Sequence, residues 1–321
     1  MFFHDQNFHI RPLDTRKDML VVADLIEICF GSQLDPDGAA YLEHVRKAAL
    51  DQRLVRWSYA AGEMISYPLN GYVCEKDGQV VGNLSIIPFY WKREWYYLIA
   101  NVAVHPDFRQ QGIAHSMTAK ALEHLYRLPV RAVWLHVRED NLPARHLYDT
   151  FHFRERCIRD TWVSSEITAN LDRPVPGVLI EPPRREDWPS QLKWFSTLYP
   201  SDVVWNLDFD VNQHQPGILA GLQHLFRDEK PLQWNVRIDG KFSGAGILKK
   251  SYTYADQVFL ALPPDDGNEK VITTLLPFIQ KNYSPNRKLM VNFPSRTAEN
   301  AFRQSGCDLV SRLIWMEIRM N

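Results

Sequence analysis

Six residues, Arg109, Gln110, Gln111, Gly112, Ile113 and Ala114, stand between a strand-like run and a helical one. The run before them, residues 98–104, is apolar and of strand length, and Pro106 and Asp107 mark a turn after it. Beyond them Ile113, Met117, Ala121 and Leu125 recur at steps of four, with Ala114, Thr118 and Leu122 alongside, which is one helix face. A glycine-bearing loop that opens a helix suits an anion. Its backbone N–H groups have no helical acceptors, and the helix dipole favours negative charge at that end. Gly112 lets the backbone come close to a ligand and Arg109 adds a cation, so the predicted chemistry is phosphate binding.

A second group lies downstream. Residues 130–137 form another apolar strand. Asn141 is a good N-cap and Pro143 suits a first turn, so a helix opens there, carrying Ala144 and Tyr148, with Phe151 and Phe153 after it. A phenol can give a proton, and an aromatic at helical spacing is also ordinary core filling. Both roles stand open for Tyr148.

Together these groups resemble the GNAT superfamily of N-acyltransferases. The family's pyrophosphate loop has the form Q/R-x-x-G-x-G/A, and residues 109–114 fit every fixed position. Val102, Ala103, Val104, His105 and Pro106 are similar to the end of its fourth strand. Asn141, Ala144 and Tyr148 match its later N-x-x-A-x-x-x-Y pattern, usually followed by Gly-Phe and here by His152-Phe153. The resemblance implies an enzyme that moves an acetyl group from acetyl-CoA to a primary amine by direct attack. Pantetheine is then expected between splayed fourth and fifth strands, on backbone groups of Val102 and Val104. The loop from Arg109 to Ala114 would hold the pyrophosphate, and Asn141, Ala144 and Tyr148 would complete the cofactor site. Tyr148 is the implied proton donor to the leaving thiolate. Asn101 stands where many members carry a Glu base. An amide cannot take a proton there, but it can orient a water or serve as a structural amide at a bulge. His136, at the end of the fifth strand, is either a base or a satisfied, half-buried histidine. The acceptor is a small-molecule or peptide amine. The alternative function is an acyl-CoA-binding regulatory module without turnover, which Asn101 in place of Glu keeps open. A scaffold of two relic domains is disfavoured by the intact loop.

The elements that must position these residues come in order. Residues 10–12 end a first strand, and residues 18–30 and 39–54 carry helical apolar spacing. Asp77-Gly78 between two β-rich runs, residues 72–75 and 80–88, predicts a hairpin, and residues 95–104 make the central strand. The second half repeats the first. Ile180-Glu181-Pro182 echoes Ile10-Arg11-Pro12, Asp239-Gly240 echoes Asp77-Gly78, residues 258–264 echo the strand ending at Pro106, and Ala298, Phe302 and Gly306 keep the spacing of Ala144, Tyr148 and His152. The expected fold is mixed α/β (α+β), two tandem GNAT-like domains, each a mostly antiparallel sheet flanked by helices. The first domain covers residues 1–169, the proline-rich stretch 170–177 is a linker, and the second covers 178–321. The counterpart of the phosphate loop contains Asp265, Asp266 and Glu269, whose charge repels a pyrophosphate, and the counterpart of Tyr148 is Phe302. The second domain is therefore read as a degenerate copy without a CoA site.

Composition excludes other classes. The 321 residues carry a formal charge of −1, which argues against general nucleic-acid or anionic-membrane binding. No apolar run approaches a membrane span, and the first residues lack a signal peptide's basic start and apolar core. The 4 cysteines form no CxxC, which predicts reduced thiols and a cytoplasmic setting. The 11 histidines show no paired metal spacing, so no metal is expected. Monomer and homodimer stay open. Glu63, Glu94 and Glu139 are read as solvated. Trp57, Tyr59, Tyr67, Trp91, Trp95, Tyr96 and Tyr97, and separately Asp202, Trp205, Asp208, Phe209 and Asp210, suit either a cationic, partly apolar amine or ordinary core and loop.

Overall fold

The computed structural model describes residues 8–31, 36–50, 70–165, 175–207, 209–216, 232–251, 254–264 and 268–320. Trp57, Tyr59, Glu63, Tyr67, Asp208, Asp265 and Asp266, and most of the 170–177 stretch, lie outside them. By internal contacts the chain forms two units. One is Met1–Cys157 with Leu313–Asn321, and the other is Ile158–Arg312.

In the first unit the strands are β1 (His9–Pro12), β2 (Gly71–Lys76), β3 (Gln79–Trp91), β4 (Glu94–Val104) and β5 (Val130–Arg138). They are joined by residues 313–319 of the chain's last strand, β12 (Cys307–Arg319). Neighbours β1 to β4 run antiparallel, β4 and β5 run parallel, and β12 closes antiparallel on β5. Helices α1 (Met19–Phe30) and α2 (Pro36–Leu50) pack Met19, Val22, Ile26, Leu42 and Val45 with Val73 of β2. The predicted extension of α2 to residue 54 lies outside the described residues. Helix α3 (Ile113–Leu125) covers the opposite face, where Ile113 and Met117 press on Gly82 so closely that a Cβ there would stand 3.0 Å from each. The parallel β4–β5 pair requires a crossover, and α3 supplies it. The helix α4 (Leu142–Thr150) follows β5.

The second unit repeats this order with β7 (Val178–Glu181), β8 (Leu232–Ile238), β9 (Lys241–Lys249), β10 (Ala255–Ala261) and β11 (Lys288–Pro294). Its closing strand is residues 158–164 of β6 (Arg154–Ser164), antiparallel to β11. Its helices are α5 (Trp188–Leu198), α6 (Ser201–Val204), α7 (Asn268–Tyr283) and α8 (Glu299–Gln304). Both Asp-Gly signals fold as read: Asp77 and Gly78 have φ of 51° and 78°, and Asp239 and Gly240 have 50° and 79°, the paired positive values of a tight hairpin turn.

The units do not follow chain order. Residues 158–169, placed by sequence with the first half, are numbered with the second unit, and residues 313–321 return to the first. Strand pairing is the reason. The strand after α4 closes the second unit's sheet, and the strand after α8 closes the first unit's.

Candidate active site

Strand β4 is bulged where the sequence placed Asn101. Gly82 pairs with Val104 and Asn83 with Ala103, but Ser85 pairs with Ala100, so Asn101 and Val102 together face Leu84. Asn101 takes φ of 51°, a conformation Asn accepts more readily than most residues. The amide nitrogen of buried Asn83 donates to the carbonyl of Asn101 at 2.9 Å, and the Asn101 amide reaches the Ser85 hydroxyl at 3.4 Å. Asn101 is thereby built into the bulge. On the other edge of β4 the parallel pairing with β5 runs to Ile99 and Leu135 and stops. Ala100 to Val104 leave β5 at the bulge, which is how a bulge re-aims a strand. Val102 belongs to this fork. The carbonyl of Val104 is engaged: Arg109 donates to it through Nε at 3.2 Å, and the Cys29 thiol does so at 3.2 Å.

The loop that follows keeps its backbone open. Gln110 and Gly112 both have positive φ, 61° and 77°, and Gly112 is the N-cap of α3. A Cβ on Gly112 would meet nothing within 4 Å. The first helical bond to be made is from Ser116 to the Gly112 carbonyl, so the amides of Ile113, Ala114 and His115 have no intrahelical acceptor. Arg109 is turned back toward β4, and a second cation stands beside the loop. Lys76, at the end of β2, donates to the Gln111 side chain at 2.7 Å and lies 5.7 Å from the Phe108 ring. Sequence reading missed Lys76, because the residue before an Asp-Gly turn is counted only as turn flank. Free first-turn amides, open space at the glycine and two cations fit a pyrophosphate, and the fork fits an extended chain lying against β4.

Asn141 and Ala144 act on each other. The Asn141 side-chain oxygen accepts from the Ala144 amide at 3.2 Å and caps α4. Tyr148, later in the same helix, is buried and meets Phe153 edge to face at 6.0 Å. Burial lifts its phenol above the ordinary pKa of 10, so it is held as the neutral donor form. The turn that the family builds with glycine is made here by His152 at φ of 64°, and Gly306 at 74° is its counterpart in the second unit.

Residues 39–153 match the family model for the acetyltransferase (GNAT) family. This stretch is a GNAT domain. Among named relatives, ribosomal protein bS18-alanine N-acetyltransferase of Escherichia coli (strain K12) is 36% identical over 59 residues, which is 18% of this chain and 40% of that protein's length. The putative enzyme of the same name in Bacillus subtilis (strain 168) is 30% identical over 105 residues, 31% of this chain and 64% of its own. Of solved structures, a GCN5-related N-acetyltransferase from Sphaerobacter thermophilus superposes with a TM-score of 0.59 at 15% identity, covering 100% of this chain and 98% of its own. A putative acetyltransferase from Pyrococcus horikoshii gives 0.52 at 13% identity, covering 100% and 92%. At such identities these structures share the fold.

His136 is the first residue of β5 beyond the last GNAT-domain pair with β4. It lies directly across from Trp315 of β12, and the two rings stack at 4.0 Å and 24°. Its Nε2 atom is buried and has no hydrogen-bond partner. Burial lowers the imidazole's pKa from 6.5 to about 3, so the ring is neutral. The residue as a whole is half-buried.

The second unit repeats the strand order of the first. Its parallel pairing ends at Gln257 and Met290. Beyond it the Leu260 amide donates to the Tyr199 hydroxyl at 3.2 Å, and Phe209 stacks on Phe259 at 3.9 Å. Tyr199, Phe209 and Phe259 are all buried. Phe302, the counterpart of Tyr148, is packed flat on Trp162 at 5.0 Å. Trp205 donates to the Asp202 carbonyl at 2.8 Å, and Asp210 caps Asn212 at 3.1 Å. Near the β3–β4 turn, Tyr90, Trp95 and Tyr97 pack on one another, with Tyr90 and Trp95 exposed. Among the described residues no group of three or more His, Cys, Asp or Glu side chains could hold a metal, and no helix is long and apolar enough to cross a membrane.

Proposed function

We propose that the first unit transfers an acetyl group from acetyl-CoA to a primary amine by direct attack. The observation that carries this reading is the fork, where β4 leaves β5 after Ile99 and Leu135 beside the open loop at Gly112. In it, first-turn amides of α3, Lys76 and Arg109 hold the pyrophosphate, and backbone groups of Val102 and Val104 lie along the pantetheine. Holding both reactants in one gap removes much of the entropic barrier. Tyr148 donates to the leaving sulfur. Asn101 acts by holding the bulge open, together with Asn83 and Ser85. The relatives' name, an alanine N-acetyltransferase of a ribosomal protein, makes a peptide N-terminus one acceptor worth testing beside small amines. Acyl groups longer than acetyl are a separate arm of the same test.

A second reading is an acyl-CoA-binding regulatory module without turnover. Asn101, an amide where a carboxylate base is common, favours it. The deciding experiment is calorimetry with acetyl-CoA, followed by an amine panel read by released thiol. Binding with thiol release supports transfer. Binding without release from any amine supports the regulatory module, and no binding sinks both.

A further inference from the structure

We infer that Arg109 couples the two halves of the acyl donor: its guanidinium holds the Val104 carbonyl until a diphosphate on the Gly112 loop draws it away, so the fork takes a thioester that carries a diphosphate in preference to the same thioester without one. The inference rests on the transfer reading and names the residue that selects the donor at that site.

Backbone direction puts the Val104 carbonyl in the fork. The His105 amide donates to the Val81 carbonyl of β3 at 2.9 Å. That N–H and the Val104 C=O belong to one trans peptide unit, whose two polar groups point opposite ways. The carbonyl therefore looks away from β3, to the side on which β4 has left β5 after Ile99 and Leu135. An extended chain lying against β4 needs this oxygen as an acceptor.

The protein already uses it. A carbonyl oxygen has two lone pairs, and two side chains fill them. Arg109 donates through Nε at 3.2 Å, and Cys29, in the last turn of α1, donates through its thiol at 3.2 Å. Arg109 is thus asked for in two places, on the carbonyl and on the phosphate, and each place has a different claim on it. A guanidinium binds a phosphate oxygen more strongly than a neutral carbonyl, and it can grip two such oxygens at once. Arg109 is exposed, so it can turn without repacking the core. It also stands at the start of the loop whose free amides, at Ile113, Ala114 and His115, would hold the diphosphate. When it turns to that group, a lone pair of Val104 is released in the same movement.

Lys76 is placed differently. It is bonded to the Gln111 side chain at 2.7 Å and not to β4, so it adds charge to the loop without this coupling. Cys29 completes the cap, because a single donor would leave one lone pair for the ligand. A thioester that brings no diphosphate must compete for a carbonyl that is free in only a fraction of the molecules, and its apparent affinity is lowered by that fraction. Arg109 does not touch the reacting atoms; it positions and selects.

The test uses S-acetylpantetheine, inorganic pyrophosphate and acetyl-CoA as probes in calorimetry of the full chain. S-acetylpantetheine is uncharged, so pyrophosphate cannot help it by direct attraction. Wild type should bind it about 10-fold tighter at saturating pyrophosphate than without, within the usual range for coupling between two sites. Arg109→Ala should bind S-acetylpantetheine alone about 10-fold tighter than wild type does, and pyrophosphate should no longer improve it. Cys29→Ala, which frees the other lone pair, should shift in the same direction while keeping the wild-type affinity for pyrophosphate. A side chain that served only packing would lose affinity on deletion and not gain it. Acetyl-CoA binding to a wild type whose S-acetylpantetheine affinity is indifferent to pyrophosphate would overturn the inference and leave the transfer reading intact. So would an Arg109→Ala variant with the wild-type melting temperature and no gain for S-acetylpantetheine. If the coupling is found and no amine releases thiol, the coupling stands and the transfer reading fails.

Discussion

In the second unit the Leu260 amide donates to the Tyr199 hydroxyl at 3.2 Å, just beyond the end of the parallel strand pairing. In the corresponding stretch of β4 the Val104 carbonyl accepts from Arg109 and Cys29 and the Asn101 carbonyl from Asn83. One unit is therefore expected to take CoA and the other to exclude it by its own aromatic filling. Calorimetry should give one acetyl-CoA per chain. Tyr199→Phe leaves the Leu260 N–H unmatched and should lower stability by about 1–3 kcal/mol. It should leave stoichiometry at one, and two equivalent sites in the wild type would contradict the assignment.

Gly112 separates backbone strain from ligand exclusion. At φ of 77° an alanine is strained, but its methyl meets no protein atom. Gly112→Ala should therefore lower stability by about 1 kcal/mol. Gly112→Glu puts bulk and negative charge where the pyrophosphate is proposed to lie, and should abolish acetyl-CoA binding in a folded protein. Retained affinity in Gly112→Glu would move the phosphate elsewhere.

Tyr148→Phe keeps the ring against Phe153. Melting temperature should change little, and acetyl-CoA affinity should survive. Turnover should fall by about 10²-fold to 10⁴-fold if the phenol serves the leaving sulfur. Because burial raises the phenol's pKa, the wild-type rate should show no loss from Tyr148 ionisation up to pH 10. Unchanged turnover would leave Tyr148 as a packing residue.

His152 sits at φ of 64°, where a glycine carries no steric penalty. His152→Gly should stabilise the first unit by about 1 kcal/mol, measured by urea unfolding. A loss of stability would mean that the imidazole makes a contribution greater than the strain.

The lowered pKa of His136 gives stability a pH signature. The unfolded chain takes a proton at this residue below about pH 6.5, and the folded one only near pH 3. More protons in the unfolded state make stability fall as pH falls, by about 1.4 kcal/mol per unit between these limits. Stability from this source is complete above pH ~6.5. Asp160 and Asp256 act in a lower window. Burial works to raise them, but hydrogen bonds from Arg312, and from Ser284 and Lys250, hold both below 3.8, so their contribution is lost only as pH falls past that value. Arg131 and Arg138 of β5 and Asp308, Arg312, Glu317 and Arg319 of β12 are the charged groups on the two strands of the His136 pair. Unfolding curves from pH 7 to pH 4 should be flatter in His136→Gln than in wild type. Parallel curves would contradict the burial argument.

Much of this is legible in the amino-acid sequence alone. The hairpins, the helix opening at Ile113 and the cap at Asn141 are local, and local spacing and turn chemistry encode them. The bulge at Asn101 was expected only from the family. The strand exchange was not legible, because an apolar alternation in residues 154–164 or 307–319 says which face is buried and not which neighbour it pairs with. Lys76, Tyr199 and Trp315 were missed for a related reason. Each reaches its partner across a long stretch of chain, so nothing adjacent in sequence announces it. His136 was raised as a base or a satisfied, half-buried histidine, and the structure shows it half-buried with an unpartnered Nε2.

The exchange of closing strands also sets an order of events during synthesis. The first unit's β5 is complete at residue 138, but the strand that pairs with its outer edge ends at residue 319. At a translation rate of about 5–20 residues per second, that edge waits roughly 10–35 s for its partner. Throughout this interval His136 has no Trp315 beside it, and β5 presents unpaired backbone to any other chain. The first unit's sheet is therefore completed late, although its loop and fork are encoded in the first half. A chain cut after residue 169 would carry every matched family motif and still lack a sheet strand.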